Sequence, residues 1–195
     1  MIGWSHSKFG KLETETVESL ISHVDVEAIH DAGIEPKDID AIYLGTMNAG
    51  LCQQEFPSSL VLQSSPDLRF TPSTRVENAC ATGSAAIHQG IAAIESKRAR
   101  FVLVIGVEKM THLSSKLVGD VLIKASYVEE EGSLQGGFVG VFSHITDLYF
   151  AKYGDQSDAL AKIAAKNHKN GSKNPLAQVQ KDLGYEFCKG DEKNP

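Results

Sequence analysis

Cysteine is scarce in this chain: Cys52, Cys80 and Cys188 are the only three among 195 residues. They form no C-x-x-C pair, and no histidine stands at ligand spacing from any of them. An odd, dispersed set of this kind argues against a disulfide framework and a structural zinc site. Long apolar runs are lacking too. The longest, Phe101 to Val107, covers seven residues, against the roughly 20 a helix needs to cross a bilayer. The opening Met1-Ile2-Gly3-Trp4-Ser5-His6-Ser7-Lys8 does not follow the charged-then-apolar layout of a signal peptide, so a cytoplasmic protein without a membrane span is expected. There is no excess of positive charge. With 19 Lys and Arg against 25 Asp and Glu, the net charge is -6, and no block of like charges gives a footprint for nucleic acid. Gly136-Gly137 and Gly140 lack the Gly-Lys-Ser/Thr ending of a phosphate-binding loop. Internal repeats, low-complexity segments and heptad runs are missing as well.

What remains is an ordinary globular composition, 42% apolar and 23% charged, enough for a sizeable core in one domain or two small ones. From Thr14 to Ala32, Val17, Leu20, Ile21, Val24, Ala28 and Ile29 recur at steps of three and four, with Gly33 at the stop position. That spacing predicts an amphipathic helix. Residues 40–46 (DAIYLGT) form a strand-length apolar run, 56–68 read as a short helix, and a second strand ends near Asn78. Residues 81–97 carry no charge before Glu95 and are rich in Ala, Gly, Ser and Thr. A helix without a polar face must be covered. Phe101 to Val107 lacks alternation, as a strand buried on both faces of a parallel sheet does. Strands alternating with helices predict an α/β fold. Beyond Met110 the texture changes: Phe138 to Tyr153 reads as an apolar helix and Asp155 to Asn170 as an amphipathic one. The polar tail from Gly171 to Pro195 reads as loop.

One constellation carries chemistry. Cys80 falls between the second strand and the small-residue helix, so its sulfur is expected at a helix start, where free N–H groups and the macrodipole favour a thiolate. Gly83 and Ser84 behind it leave room for an acyl group, and the N–H of residue 80 is placed to help hold an oxyanion. His88, His112, His144 and His168 read as surface, loop or core residues rather than bases, because a base must lie within hydrogen-bond reach of the sulfur.

The segment Val76-Glu77-Asn78-Ala79-Cys80-Ala81-Thr82-Gly83-Ser84-Ala85-Ala86, followed by Val104-Ile105-Gly106-Val107-Glu108-Lys109-Met110-Thr111, closely resembles the thiolase family, in its sterol-carrier-type and acetyl-CoA acetyltransferase branch. Phe9-Gly10-Lys11 and residues 164–175 (AAKNHKNGSKNP) resemble it too. The resemblance implies that Cys80 accepts an acyl group as a thioester. It implies a thiolase-like half-fold, a mixed sheet with helices on both faces over residues 1–110, followed by a mostly helical loop subdomain over 111–195. Met1-Ile2-Gly3 would be the end of a first strand, and the last strand of the half would be missing. It further implies acyl-CoA as substrate, no metal and no covalently bound cofactor, and a place in lipid metabolism. His144 and Tyr153, in the loop-domain region, are candidate contacts for coenzyme A or the acyl chain. The family's second half normally supplies a G-H-P-x-G motif, an N-[ED]-A-F-like segment and a C-x-G cysteine. No His-Pro pair occurs here, and Cys188-Lys189-Gly190 matches C-x-G only as letters in a polar tail, so Cys188 receives no catalytic role. The expectation is therefore a thiolase-like acyltransferase, or alternatively a non-catalytic subunit. Its partner would be a second copy of the chain, or a chain supplying the missing C-terminal half.

Overall fold

The computed structural model describes residues 1–190. It divides into two compact units: the first comprises Met1–Ser7 and Lys11–Val121, the second Lys8–Gly10 and the chain from Leu122 onward.

The first unit is built on three strands, β1 (Ala41–Gly45), β2 (Ser73–Val76) and β3 (Val102–Gly106), in the order β2-β1-β3. Gly45 lies level with Val76 on one side and Gly106 on the other. Every pairing is parallel, because each connection is a long crossover and none is a hairpin. The resemblance implied a mixed sheet; among the described residues no antiparallel neighbour joins these three.

Side chains alternate across a strand, and this assigns the two faces. Ile42 and Leu44 of β1 and Leu103 and Ile105 of β3 share a core with Ile21 and Ile29 of helix α1 (Val17–Asp31). Val61, on the 3-10 segment Pro57–Gln63, joins the same core. The opposite parity faces helix α2 (Thr82–Glu95). A Cβ on Gly90 of α2 would stand 2.9 Å from Val104 and 3.4 Å from Val102. Helices thus cover both faces.

α1 starts where Thr16 accepts the Ser19 N–H at 3.0 Å while Ser19 returns a bond to the Thr16 N–H at 2.8 Å, a reciprocal cap. Gly33, at φ +65°, follows its end. On α2 the small residues Thr82, Ala86, Gly90 and Ala93 are the buried stripe, leaving Ile87, Ile91 and Ile94 exposed. The small side chains serve close approach to the sheet. The segment 56–68, expected as a helix, is two 3-10 pieces, Pro57–Gln63 and Pro66–Leu68.

The first residues pair with no strand. They lie against the end of α1, where the Trp4 N–H donates to the Asp31 carboxylate at 3.0 Å and Gly3 packs on the Ala28 and Ala32 backbone. Acidic side chains at the end of α1 satisfy donors that a strand neighbour would otherwise take.

Helix α3 (Ser115–Leu122) closes the first unit and α4 (Val128–Glu131) is a single turn. The second unit contains α5 (Gly137–Tyr153), α6 (Ser157–Gly171) and α7 (Gly184–Lys189). The sequence predicts a loop where α7 forms. Six residues are too few to show a period, and α7 is held by docking on α6, with the Tyr185 hydroxyl donating to Asp158. That bond, after the Lys162 ammonium at 2.7 Å, holds the Asp158 carboxyl below its ordinary range and lifts the Tyr185 phenol above its own. The last stretch read as loop, Asp191 to Pro195, lies outside the described residues.

Candidate active site

Because the strands are parallel, the segments that follow them leave at one edge of the sheet, where α/β proteins place their sites. Three meet there: 46–55 after β1, 77–81 after β2, and 107–114 after β3.

The first is held rigidly. The Glu108 carboxylate accepts the Met47 N–H at 2.9 Å and the Thr46 hydroxyl at 3.2 Å. Arg75 donates to the Met47 carbonyl at 2.7 Å and to the Thr46 carbonyl at 3.3 Å. Asn48, almost fully buried, accepts the Cys52 N–H at 2.8 Å and donates to the Gln54 carbonyl at 3.1 Å. These bonds hold consecutive positive φ angles at Asn48, Ala49 and Gly50, which isolated residues other than glycine avoid. Met47, Leu51 and Val121 pack together beneath. Lys109 ties the third segment to the start of α1, donating to the carbonyls of Leu12, at 2.8 Å, and Glu15.

The second segment carries Cys80. The chain leaves β2 at Val76, turns through a 3-10 piece at Ala79–Ala81, and enters α2 at Thr82. Ala79 sits at φ +45°, immediately before the cysteine. Its N–H donates to the Glu77 carboxylate, and its carbonyl accepts both the Thr82 hydroxyl, at 2.6 Å, and the Thr82 N–H. Cys80 is the exposed one of the three cysteines; Cys52 and Cys188 are partly buried, the latter on α7. Among the described residues no hydrogen-bond partner is found for the Cys80 sulfur. Ala81 gives α2 no side-chain cap; the N–H groups of Ala81 and Thr82 are instead taken by the Asn78 and Ala79 carbonyls of the 3-10 turn. The arrangement can present a thiol to an incoming carbonyl beside backbone donors. It contains no imidazole or carboxylate bonded to that thiol.

His144 and Tyr153 are both exposed on α5. Nine residues of α-helix are about two and a half turns, so the two lie on opposite sides of α5, roughly 13 Å apart along its axis. The structure does not bring them together. Tyr153 stacks at 4.7 Å on Tyr149, with the Lys152 ammonium 5.0 Å from its ring. No group of three or more His, Cys, Asp or Glu among the described residues could hold a metal ion. No described helix is long and apolar enough to cross a membrane. Sequence reasoning missed the groups that fix the Cys80 corner, Thr82 and Gly45 above all. The available signal was a glycine ending a strand and a hydroxyl two residues past the cysteine.

Fold and corner together define the class: an α/β protein with an exposed thiol where a parallel strand turns into the helix behind it. The family described as thiolase, N-terminal domain, matches residues 2–184, and the chain belongs to that family. It is 38% identical over 181 residues to an acetyl-CoA acetyltransferase of Methanothermobacter thermautotrophicus, covering 91% of this chain and 46% of that protein. The acetyl-CoA acetyltransferase of Methanocaldococcus jannaschii is likewise 38% identical, over 91% of this chain and 45% of its own length. Sterol carrier protein 2 of Gallus gallus is 28% identical over 93% of this chain and 34% of its own length. The chain thus spans a little under half of the acetyltransferases it matches. Among solved structures, the acetyl-CoA acetyltransferase of Syntrophomonas wolfei shares the fold at a TM-score of 0.64 and 21% identity, over 88% of this chain and 46% of that one. The α/β architecture expected from the sequence is therefore the thiolase one.

Proposed function

We propose that this chain carries the acyl-accepting part of a thiolase-type acyl-CoA acyltransferase, with Cys80 as nucleophile. The observation that carries the reading is the position of Cys80: exposed, without a hydrogen-bond partner for its sulfur among the described residues, and on the 3-10 turn that leads from β2 into α2. The Cys80 thiolate attacks the carbonyl carbon of an acyl-CoA. A new carbon–sulfur bond forms, the bond to coenzyme A breaks, and coenzyme A leaves as a thiolate that takes up a proton. A second acyl-CoA, deprotonated at its α-carbon, then attacks the acyl-cysteine; a carbon–carbon bond forms and Cys80 is released. The reverse sequence is thiolytic cleavage. Backbone N–H groups at the corner suit the transient oxyanion.

Two proton transfers lack a matching residue in this sequence: activation of Cys80 and deprotonation of the second acyl-CoA. The reading assigns them to polypeptide that carries G-H-P-x-G and C-x-G, in a partner chain or elsewhere. The absence of any base bonded to Cys80 among the described residues favours a second reading, a subunit that binds coenzyme A and a partner without turning over alone. His144 and Tyr153 are proposed contacts for the acyl-CoA, from opposite sides of α5.

The experiment is intact-mass measurement after incubation with acetyl-CoA, followed by peptide mapping. One acetyl group on Cys80, absent from Cys80→Ser, supports the nucleophile. An unmodified chain, even when a polypeptide with the missing motifs is added, overturns it.

A further inference from the structure

We propose that Thr82 and Gly45 are a positioning pair that sets where Cys80 stands, a proposal that rests on the reading of Cys80 as nucleophile. Neither touches the sulfur. Thr82 is 5% exposed, and its hydroxyl makes two bonds, both to backbone on the approach to Cys80. It accepts the Asn78 N–H at 2.7 Å and donates to the Ala79 carbonyl at 2.6 Å. One buried oxygen therefore spans the Asn78–Ala79 segment, which contains the unfavourable φ of +45°. A non-glycine residue is held in that region only when its surroundings over-determine it, and the second support is the bond from the Ala79 N–H to Glu77. Without the hydroxyl, the Asn78 N–H loses its partner and the Ala79 carbonyl keeps only the Thr82 N–H, and Ala79 is released toward negative φ, which redirects the residue that follows it.

The other half of the pair is an absence of atoms. A Cβ on Gly45 would stand 3.0 Å from the Thr82 methyl and 3.0 Å from its carbonyl oxygen. The bare α-carbon at the end of β1 thus lets the first turn of α2 rest on the strand, and the obstacle to any side chain there is partly helix backbone, which has little freedom to yield. Strand, threonine and corner form one stack, with Cys80 two residues from its centre.

The test compares Thr82→Val, Thr82→Ser and Gly45→Ala by two readouts on the full chain: the iodoacetamide rate at Cys80 relative to Cys52, and acetylation by acetyl-CoA. The valine variant keeps the shape and removes the hydroxyl; the serine variant keeps the hydroxyl. Thr82→Val and Gly45→Ala are expected to lower the Cys80 to Cys52 ratio by roughly two- to fivefold, the size of a helix-start charge effect. Acetylation should fall further, about tenfold or more, because it needs orientation as well as a thiolate. Thr82→Ser should restore both. If Thr82→Val does not fold, as judged by circular dichroism, Gly45→Ala and Thr82→Ser decide. A Cys80 to Cys52 ratio unchanged in Gly45→Ala and in any folded Thr82→Val, or lowered equally in Thr82→Ser, overturns the proposal. Failure of the nucleophile reading shows itself separately, as a wild-type chain that is alkylated normally and never acetylated.

Discussion

Asp25 is an acid that the fold has taken almost wholly out of water, at 1% exposure on the buried stripe of α1. One oxygen accepts the Ser64 hydroxyl; the other has no partner among the described residues. Burial raises its carboxyl above the usual range, and the Ser64 bond offsets only part of that. The folded protein therefore holds a proton on Asp25 at pH values where the unfolded chain has released it. Stability falls as pH rises out of the ordinary carboxylate range through the folded value, and stays lower above it. Asp25→Asn, which keeps an acceptor for Ser64, is expected to raise the melting temperature at pH 7 by roughly 2–4 °C, the worth of about 1 kcal/mol in a chain this size. Melting curves taken down to pH 3 should show the gain vanish; a gain independent of pH would disprove this account. Sequence reasoning passed over Asp25 although it stands four residues from both Ile21 and Ile29, on the buried stripe; its charge was read instead of its position. The place of Cys80 between β2 and α2 was legible because its neighbours are small and unusual. Thr82 was not, since a threonine beside a helix start has many bland uses.

Among the elements, α1 shows how local and tertiary signals agree. Its apolar spacing and final glycine place it within a few residues from sequence alone, and Thr16 with Ser19 closes its start. Thr16→Ala is expected to cost about 1 kcal/mol, read as a lower urea midpoint with an unchanged slope. A change in slope instead would mean that the cap shapes more than its own helix. β1 and β3 were equally readable, being short apolar runs between turn residues. The pieces that escaped are those whose order comes from elsewhere. α7 depends on α6, and the 3-10 segment Pro57–Gln63 depends on its stripe of Ser58, Val61 and Ser64, of which Ser58 and Val61 are fully buried and Ser64 bonds Asp25. A period of three over so short a stretch is invisible in an α-helical search. The opening residues failed for the same reason: their partners are the carboxylates at the end of α1.

At the scale of the molecule, the first unit leaves Ile87, Ile91 and Ile94 of α2 each about half exposed in one stripe. The small-residue side faces the sheet, so it is the isoleucine side that lacks cover. Contiguous apolar surface of this kind drives association, and the chain by itself is expected to self-associate, with Ile91→Glu reducing it. Sedimentation across a concentration series decides; a wild-type chain that stays monomeric and binds no hydrophobic dye would show the stripe to be harmless. In the second unit, Val141 and Ala161 are the buried apolar residues of α5 and α6. Both helices were legible all the same, Phe138 to Tyr153 against an observed Gly137–Tyr153 and Asp155 to Asn170 against Ser157–Gly171, because each is long enough to show its pattern, as the six residues of α7 are not.

The strand order carries a consequence for synthesis. β1 occupies the middle of the sheet yet leaves the ribosome before either neighbour; Val76, level with Gly45, comes 31 residues later and Gly106 comes 61 later. At synthesis rates of about 5–20 residues per second, the second flank arrives roughly 3–12 s after the first strand is made. Throughout that interval Ile42 and Leu44 belong to a segment with its backbone unpaired on at least one side. The newborn chain thus passes through a sticky adolescence that the finished fold conceals, and slower translation would lengthen it.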